Sequence, residues 1–188
     1  MTGFAWTDAL VRTALGLRVD LAEPGIEFTG VSTDSRAVRD GDLYVALVGD
    51  RFDGHDFVTD ALAGGARAAV VSRPAPDDPN ARLYPVDDTL AALGQLAAHR
   101  RKALDVPVVA ITGSSGKTTT KEMTSAALGA TMRVHATQAN LNNRIGMPLT
   151  LLDVPLDAEA VVLELGTNEP GEIGALAQVA RPDIAVIT

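Results

Sequence analysis

Between residues 110 and 121 the chain reads Ala-Ile-Thr-Gly-Ser-Ser-Gly-Lys-Thr-Thr-Thr-Lys, a spacing suited to holding a polyphosphate. The β-branched run over 106–111, broken once by Pro107, predicts a strand; Gly113 and Gly116 predict a tight loop, and a helical pattern starts at Lys117. A helix N-terminus carries main-chain N–H groups without intrahelical acceptors and a partial positive charge, so it attracts phosphate. Glycine lets the main chain wrap closely around the anion. Lys117 is then placed to reach the β/γ-phosphates, and the Thr118 hydroxyl to sit on Mg²⁺. The segment departs from the strict G-x-x-x-x-G-K-[ST] pattern, whose first glycine falls at Ile111. The alternative is a Gly/Ser turn carrying a surface lysine, but strand, loop and helix follow in the order that phosphate binding needs.

Other residues join this candidate chemistry. The apolar run 161–165 is interrupted only by Glu164. A carboxylate at the end of a buried strand is costly unless partnered, and this end of the sheet is where the phosphate loop lies. Glu164 is therefore a candidate for holding Mg²⁺, directly or through water, or else for pairing with a base or capping the turn at Gly166. Asn140, Asn142 and Asn143 crowd three amides into four positions. Amides donate and accept, so they suit orienting a phosphate or a carboxylate, and equally suit capping turns. Thr33-Asp34-Ser35-Arg36 and Gly49-Asp50-Arg51-Phe52-Asp53 both follow predicted strands. Arg36 and Arg51 on adjacent loops could bind a diphosphate, and the hydroxyls of Thr33 and Ser35 could read a base or sugar; solvated turns are the alternative. His55, His99 and His135 show no metal-ligand spacing and are expected at the surface or as caps.

The elements that must position these residues follow from hydrophobic periodicity and turn signals. Thr7 caps a predicted helix over 8–17. Strands are predicted at 26–31, 43–48, 68–71 and 83–86, with helices at 56–63 and 89–104, and the basic run Arg100-Arg101-Lys102 complements the dipole at the end of the last. From residue 105 strand and helix alternate: strands at 108–111, 132–135, 160–165 and 184–187, and helices at 117–128, around 148–152 and at 171–179. That alternation predicts an α/β fold. Residues 1–104 form a small N-terminal α/β substrate-binding domain, and residues 105–188 part of a doubly wound, mainly parallel P-loop sheet.

Composition sets further bounds. Hydrophobic residues make up 46% of the chain, enough for a core, but aromatics only 4%, so that core is aliphatic. A net charge of −8 argues against general nucleic-acid or anionic-membrane binding. With no cysteine, disulfide and thiol chemistry are excluded. The N-terminus lacks the basic and apolar regions of a secretory signal, and no run approaches the roughly 20 apolar residues that cross a bilayer, so a cytoplasmic location is expected.

Taken together, these motifs resemble the Mur ligase family, the ATP-dependent amino-acid ligases of peptidoglycan synthesis. Thr112-Gly-Ser-Ser-Gly-Lys-Thr-Thr-Thr120 is similar to that family's phosphate loop; Thr33-Asp-Ser-Arg36, Gly41-Asp-Leu-Tyr-Val-Ala-Leu47 and Asp53-Gly-His-Asp-Phe57 resemble its N-terminal domain. Three further segments resemble the members that add D-alanyl-D-alanine to UDP-N-acetylmuramoyl-tripeptide: 117–123, 140–152 and 163–173. One local departure is Thr167-Asn168-Glu169, where the family more often has an Ala-Asn-His-like run. The resemblance implies that Gly113, Ser114, Ser115, Gly116, Lys117, Thr118 and Thr119 bind the ATP phosphates. Lys117 would neutralise charge during phosphoryl transfer, and Thr118 and Glu164 would organise Mg²⁺. Asn140, Asn142 and Asn143 match the segment beside the phosphate loop and substrate; Thr33, Ser35, Arg36, Asp50, Arg51 and Phe52 match positions around the UDP part. It also implies three domains, of which this chain resembles the first and about half of the second, in a protein expected to act as a monomer. Alone, the 188-residue chain is not expected to turn over. Two other readings stay open: another ligase of the family, of the MurE or folylpolyglutamate type, and a non-catalytic nucleotide-binding module.

Overall fold

A computed structural model describes residues 4–19, 25–49, 52–74, 81–167 and 169–188. The chain divides into two compact units, residues 1–96 and 97–188.

In the first unit, strand β1 (Trp6–Thr7) pairs antiparallel with β2 (Glu27–Phe28). Helix α1 (Asp8–Ala14) starts where the Thr7 hydroxyl accepts the Leu10 N–H. The strand expected over 26–31 is split, because the Thr29 N–H turns to the Gly41 carbonyl; β3 (Val31–Ser32) begins a second sheet. This sheet runs β3, β4 (Leu43–Val45), β5 (Ala68–Val71), β6 (Leu83–Pro85), all parallel. A 3-10 turn (Gly54–Phe57) and helix α2 (Val58–Ala63) connect β4 to β5. Tyr44, Ala46, Val58, Ala61 and Ala69 form its core, with small residues filling what aromatics do not. A polar lock lies beside it: buried Asp8 accepts from the Tyr84 phenol and from Arg12 Nε at 2.9 Å, and Arg12 lies over the Tyr84 ring.

Helix α3 (Thr89–Lys102) is capped by Asp88, whose carboxylate accepts the Leu90 and Ala91 N–H groups. The division between the compact units falls within α3, whose last turns belong with the second unit: Arg100 and Arg101 donate to the carbonyls of Val154 and Ala180. The basic run expected to serve the helix dipole thus also fastens the segment at Val154 and the end of the helix that closes at Ala180. Arg100 is buried, and burial holds its pKa below the ordinary value.

The second unit holds β7 (Val108–Thr112), α4 (Lys117–Gly129), β8 (Val134–Ala136), α5 (Gly146–Leu152), β9 (Ala160–Glu164), α6 (Glu172–Ala180) and β10 (Ile184–Ile187). The sheet is parallel throughout, in the order β10-β7-β9-β8. The chain therefore crosses one way from β7 to β8 and the other way through β9 to β10. Right-handed crossovers in opposite directions put α4 on one face and α5 with α6 on the other, which is a doubly wound sheet. All five residues of β9 are buried, as a strand covered on both faces requires. The β7–β9 register sets Ile111 opposite Glu164, so the carboxylate stands at the sheet edge where β7 enters its loop.

Candidate functional site

Two glycines shape the phosphate loop. Gly113 has φ +144° and Gly116 φ +78°, values that side chains rarely adopt. A Cβ on Gly113 would also collide with the main chain of Thr188 at the end of β10. Gly116 occupies the N-cap of α4 and offers no side-chain cap, and the first intrahelical bond runs from Thr120 N–H to Gly116 O. The N–H groups of Lys117, Thr118 and Thr119 thus face the loop mouth without intrahelical acceptors. Ser114, Ser115, Gly116, Thr118 and Thr119 are exposed there. The Lys117 ammonium folds back onto the Gly113 carbonyl at 2.8 Å, across the loop that it closes.

Glu164 is the hub behind this loop. Its side chain is buried, yet both carboxylate oxygens have donors: the Thr118 hydroxyl at 2.9 Å and the Asn142 amide at 2.8 Å. Its N–H donates to the Thr137 hydroxyl at 3.0 Å. Thr118 and Glu164 offer the hard oxygen donors that Mg²⁺ takes. Of the three amides expected near the loop, only Asn142 reaches this carboxylate. The Asn143 carbonyl oxygen instead accepts the Ile145 and Gly146 N–H groups and caps α5, and Asn140 is exposed. Gly166 permits the approach of Asn142, since a Cβ there would lie 2.8 Å from its side chain.

The first unit has its own concavity, of about 800 Å³, lined by Thr33, Ser35, Arg36 and Phe52 among others. Phe52 stands largely exposed on its wall, as a flat apolar surface open to a ring. Arg36 does not project a free guanidinium: it grips Asp34 through two bonds, at 2.9 and 2.7 Å. Those bonds hold the Asp34 carboxyl down to about 2. Of the expected pair of arginines, Arg36 is thus engaged by Asp34, while Asp50 and Arg51 lie outside the described residues. Sequence reasoning missed Tyr44, Phe57 and Asp60, which line the same cavity from a strand, a turn and a helix. Tyr44 donates to the Gly54 carbonyl, and burial, with the charges of Asp34 and Asp53, raises its phenol pKa.

His55 is buried, not at the surface. Its Nε2 accepts the Ser72 N–H at 2.9 Å, so Nδ1 carries the proton and donates to Asp53 at 2.6 Å. That carboxylate also caps the 3-10 turn and pairs with Arg73; chiefly the His55 N–H holds its pKa low. His135 donates from Nε2 to the Thr150 carbonyl at 3.0 Å, and burial lowers its pKa. Among the described residues no group of His, Cys, Asp or Glu is arranged to hold a metal by itself, and no helix is long and apolar enough to cross a membrane.

Comparison with known proteins bears on both units. Residues 27–101 match the model described as Mur ligase family, catalytic domain, and residues 111–188 the Mur ligase middle domain. The UDP-N-acetylmuramoyl-tripeptide–D-alanyl-D-alanine ligase of Bacillus subtilis is 48% identical over 89% of this chain and 38% of its own length. The Escherichia coli enzyme of the same name is 45% identical over 91% of this chain and 37% of its own. The chain thus spans less than half the length of the curated relatives it matches. A crystal structure of MurF from Acinetobacter baumannii superimposes on the whole chain with a TM-score of 0.87 at 37% identity, covering 41% of that protein. MurF of Thermotoga maritima, solved in complex with ADP, matches 84% of this chain and 36% of its own at a TM-score of 0.77 and 39% identity. The parallel sheet, its phosphate loop and these matches lead to one conclusion: the chain belongs to the Mur ligase family.

Proposed function

We propose that this chain is the precursor- and nucleotide-binding part of an ADP-forming ligase that joins D-alanyl-D-alanine to UDP-N-acetylmuramoyl-tripeptide. The observation that carries this reading is the buried Glu164 carboxylate, braced by Thr118 and Asn142 directly behind a glycine-shaped helix N-terminus. The relatives' names supply the substrates, and the ADP complex of the Thermotoga relative supports ATP as the phosphoryl donor. In this reading residues 1–104 bind the UDP precursor, and residues 105–188 begin the ATP-binding domain. The cavity beside Phe52, with Thr33, Ser35 and Arg36, takes the UDP end.

The chemistry proceeds by two displacements. The tripeptide carboxylate attacks the γ-phosphorus of ATP, the bond to the β-phosphate oxygen breaks, and ADP leaves an acyl phosphate. The amine of D-alanyl-D-alanine then attacks the acyl carbon, and a tetrahedral intermediate expels phosphate. Phosphoryl transfer needs positioning and cations more than a covalent catalyst. The main-chain N–H groups of 113–119 hold the β- and γ-phosphates, and the Lys117 ammonium leaves the Gly113 carbonyl to meet the charge that develops between them. Thr118 and Glu164 would hold Mg²⁺, which would supply positive charge to draw electron density from the transferred phosphoryl group. Asn142 keeps the Glu164 carboxylate turned toward the loop. In this reading the whole enzyme is monomeric and cytoplasmic.

Calorimetry with a non-hydrolysable ATP analogue and Mg²⁺ tests the reading. The chain should bind the analogue, and Lys117→Ala should weaken binding by about 100-fold or more, the scale set by a phosphate-directed charge in a preorganised site. Equal affinity in the two proteins would remove Lys117 from the mechanism.

A further inference from the structure

Lys121 lies one helical turn beyond Lys117, yet no step above uses it. Its side chain is only 3% exposed. A buried ammonium is costly unless bonded. This one donates to the Thr137 carbonyl at 2.9 Å and meets the Glu122 carboxylate, itself exposed, at 2.6 Å. Thr137 is 1% exposed and engages every polar group that it has. Its N–H donates to the Val162 carbonyl, its hydroxyl accepts the Glu164 N–H, and its carbonyl accepts Lys121. A side-chain hydroxyl thus stands where β8, had it continued, would meet β9. The chain leaving Thr137 also carries Asn142, the second donor to the Glu164 carboxylate.

We infer that Lys121 is a positioning residue: through Thr137 it ties helix α4, which carries Thr118, to the main chain of Glu164 and to the Asn142 loop, and so sets the cation-holding geometry. The assignment rests on the nucleotide reading above. Lys121 itself touches neither phosphate nor cation. Its bond fixes the lateral position of the helix against the end of β9, the one coordinate that Thr118 and Glu164 must share.

Two variants test this in the 188-residue chain. Lys121→Met keeps the length and removes the donor; Thr137→Val keeps the shape and removes the hydroxyl. The first measurement needs no nucleotide: hydrogen exchange at the Glu164 amide should accelerate in both, with the Ile111 and Val162 amides unchanged. The second is the ratio of ATP-analogue affinity with and without Mg²⁺, which should fall about tenfold in both, the usual scale for groups that orient a metal ligand. Lys121→Arg, which keeps the cation, should recover part of that ratio. A purely structural lysine would lower the melting temperature but leave the ratio unmoved, and that outcome overturns the inference. So does unchanged exchange at Glu164. Failure of the unsubstituted chain to bind the analogue is a separate result: it overturns the ligase reading, and this assignment with it.

Discussion

The phosphate loop and the cavity beside Phe52 hold their polar groups in opposite ways. Around the loop, bonds join residues far apart in the chain: Thr118 to Glu164 across 46 positions, and Asn142 to Glu164 across 22. On the wall of the cavity the exposed pair of Arg36 and Asp34 joins near neighbours, across 2. The first arrangement exists only when α4, the Asn142 loop and β9 are all in place. The second survives wherever a single turn is formed. The lesson is that a buried carboxylate makes its site a property of the sheet, whereas exposed pairs leave theirs a property of the local chain.

Substitutions can sharpen or break this contrast. The largest effect is expected from Glu164→Ala. It removes the hub, so Mg²⁺-dependent binding of an ATP analogue should fall by about 100-fold or more, with uridine diphosphate binding unchanged. Calorimetry with both ligands on one sample checks this, and a parallel loss of uridine diphosphate binding would break the contrast. Phe52→Ala should act in the reverse sense and more weakly. An exposed ring that stacks on a base contributes about 1–3 kcal/mol, so uridine diphosphate affinity should drop about tenfold or more while the ATP analogue binds as before.

The smallest effect concerns stability alone, through the Asp8–Tyr84 lock of the first unit. Burial and the neighbouring Asp8 raise the Tyr84 pKa above its ordinary value of about 10. The phenol's contribution is therefore complete below pH about 10 and is lost as pH climbs from there toward the folded-state value. Asp8 behaves oppositely. Burial alone would raise its pKa, but the bonds from Tyr84 and Arg12 and the charges of Arg82 and Arg12 outweigh it and leave the value low. Its contribution is complete above pH about 4 and fades on acidification. Tyr84→Phe should cost about 1–2 kcal/mol at neutral pH and flatten the alkaline limb of the melting-temperature profile. A wild-type alkaline limb kept intact in the variant would show that the phenol is not its source.

The contrast also explains what could be read from the sequence. The phosphate loop was legible because its parts are consecutive: a strand, two glycines with positive φ and a helix start. The doubly wound sheet followed from the alternation of its elements. The cavity was legible only in part, since Tyr44, Phe57 and Asp60 come from separate elements and carry no shared spacing. Strand β1 was missed because two residues give no periodicity. Three asparagines within four positions look alike in sequence. Only the fold turns Asn142 toward Glu164 and Asn143 toward the start of α5. For Lys121 a signal was present. It lies at helical spacing from Lys117, Ser125 and Leu128, the less exposed stripe of α4, where a lysine must find a partner.

Gly166 carries a consequence for how this protein can change over generations. The carboxamide of Asn142 fills the space that any larger residue at 166 would need. Variation at the two positions is therefore coupled: a larger residue at 166 turns the Asn142 carboxamide aside, and the lineage that accepts it gives up one brace on Glu164.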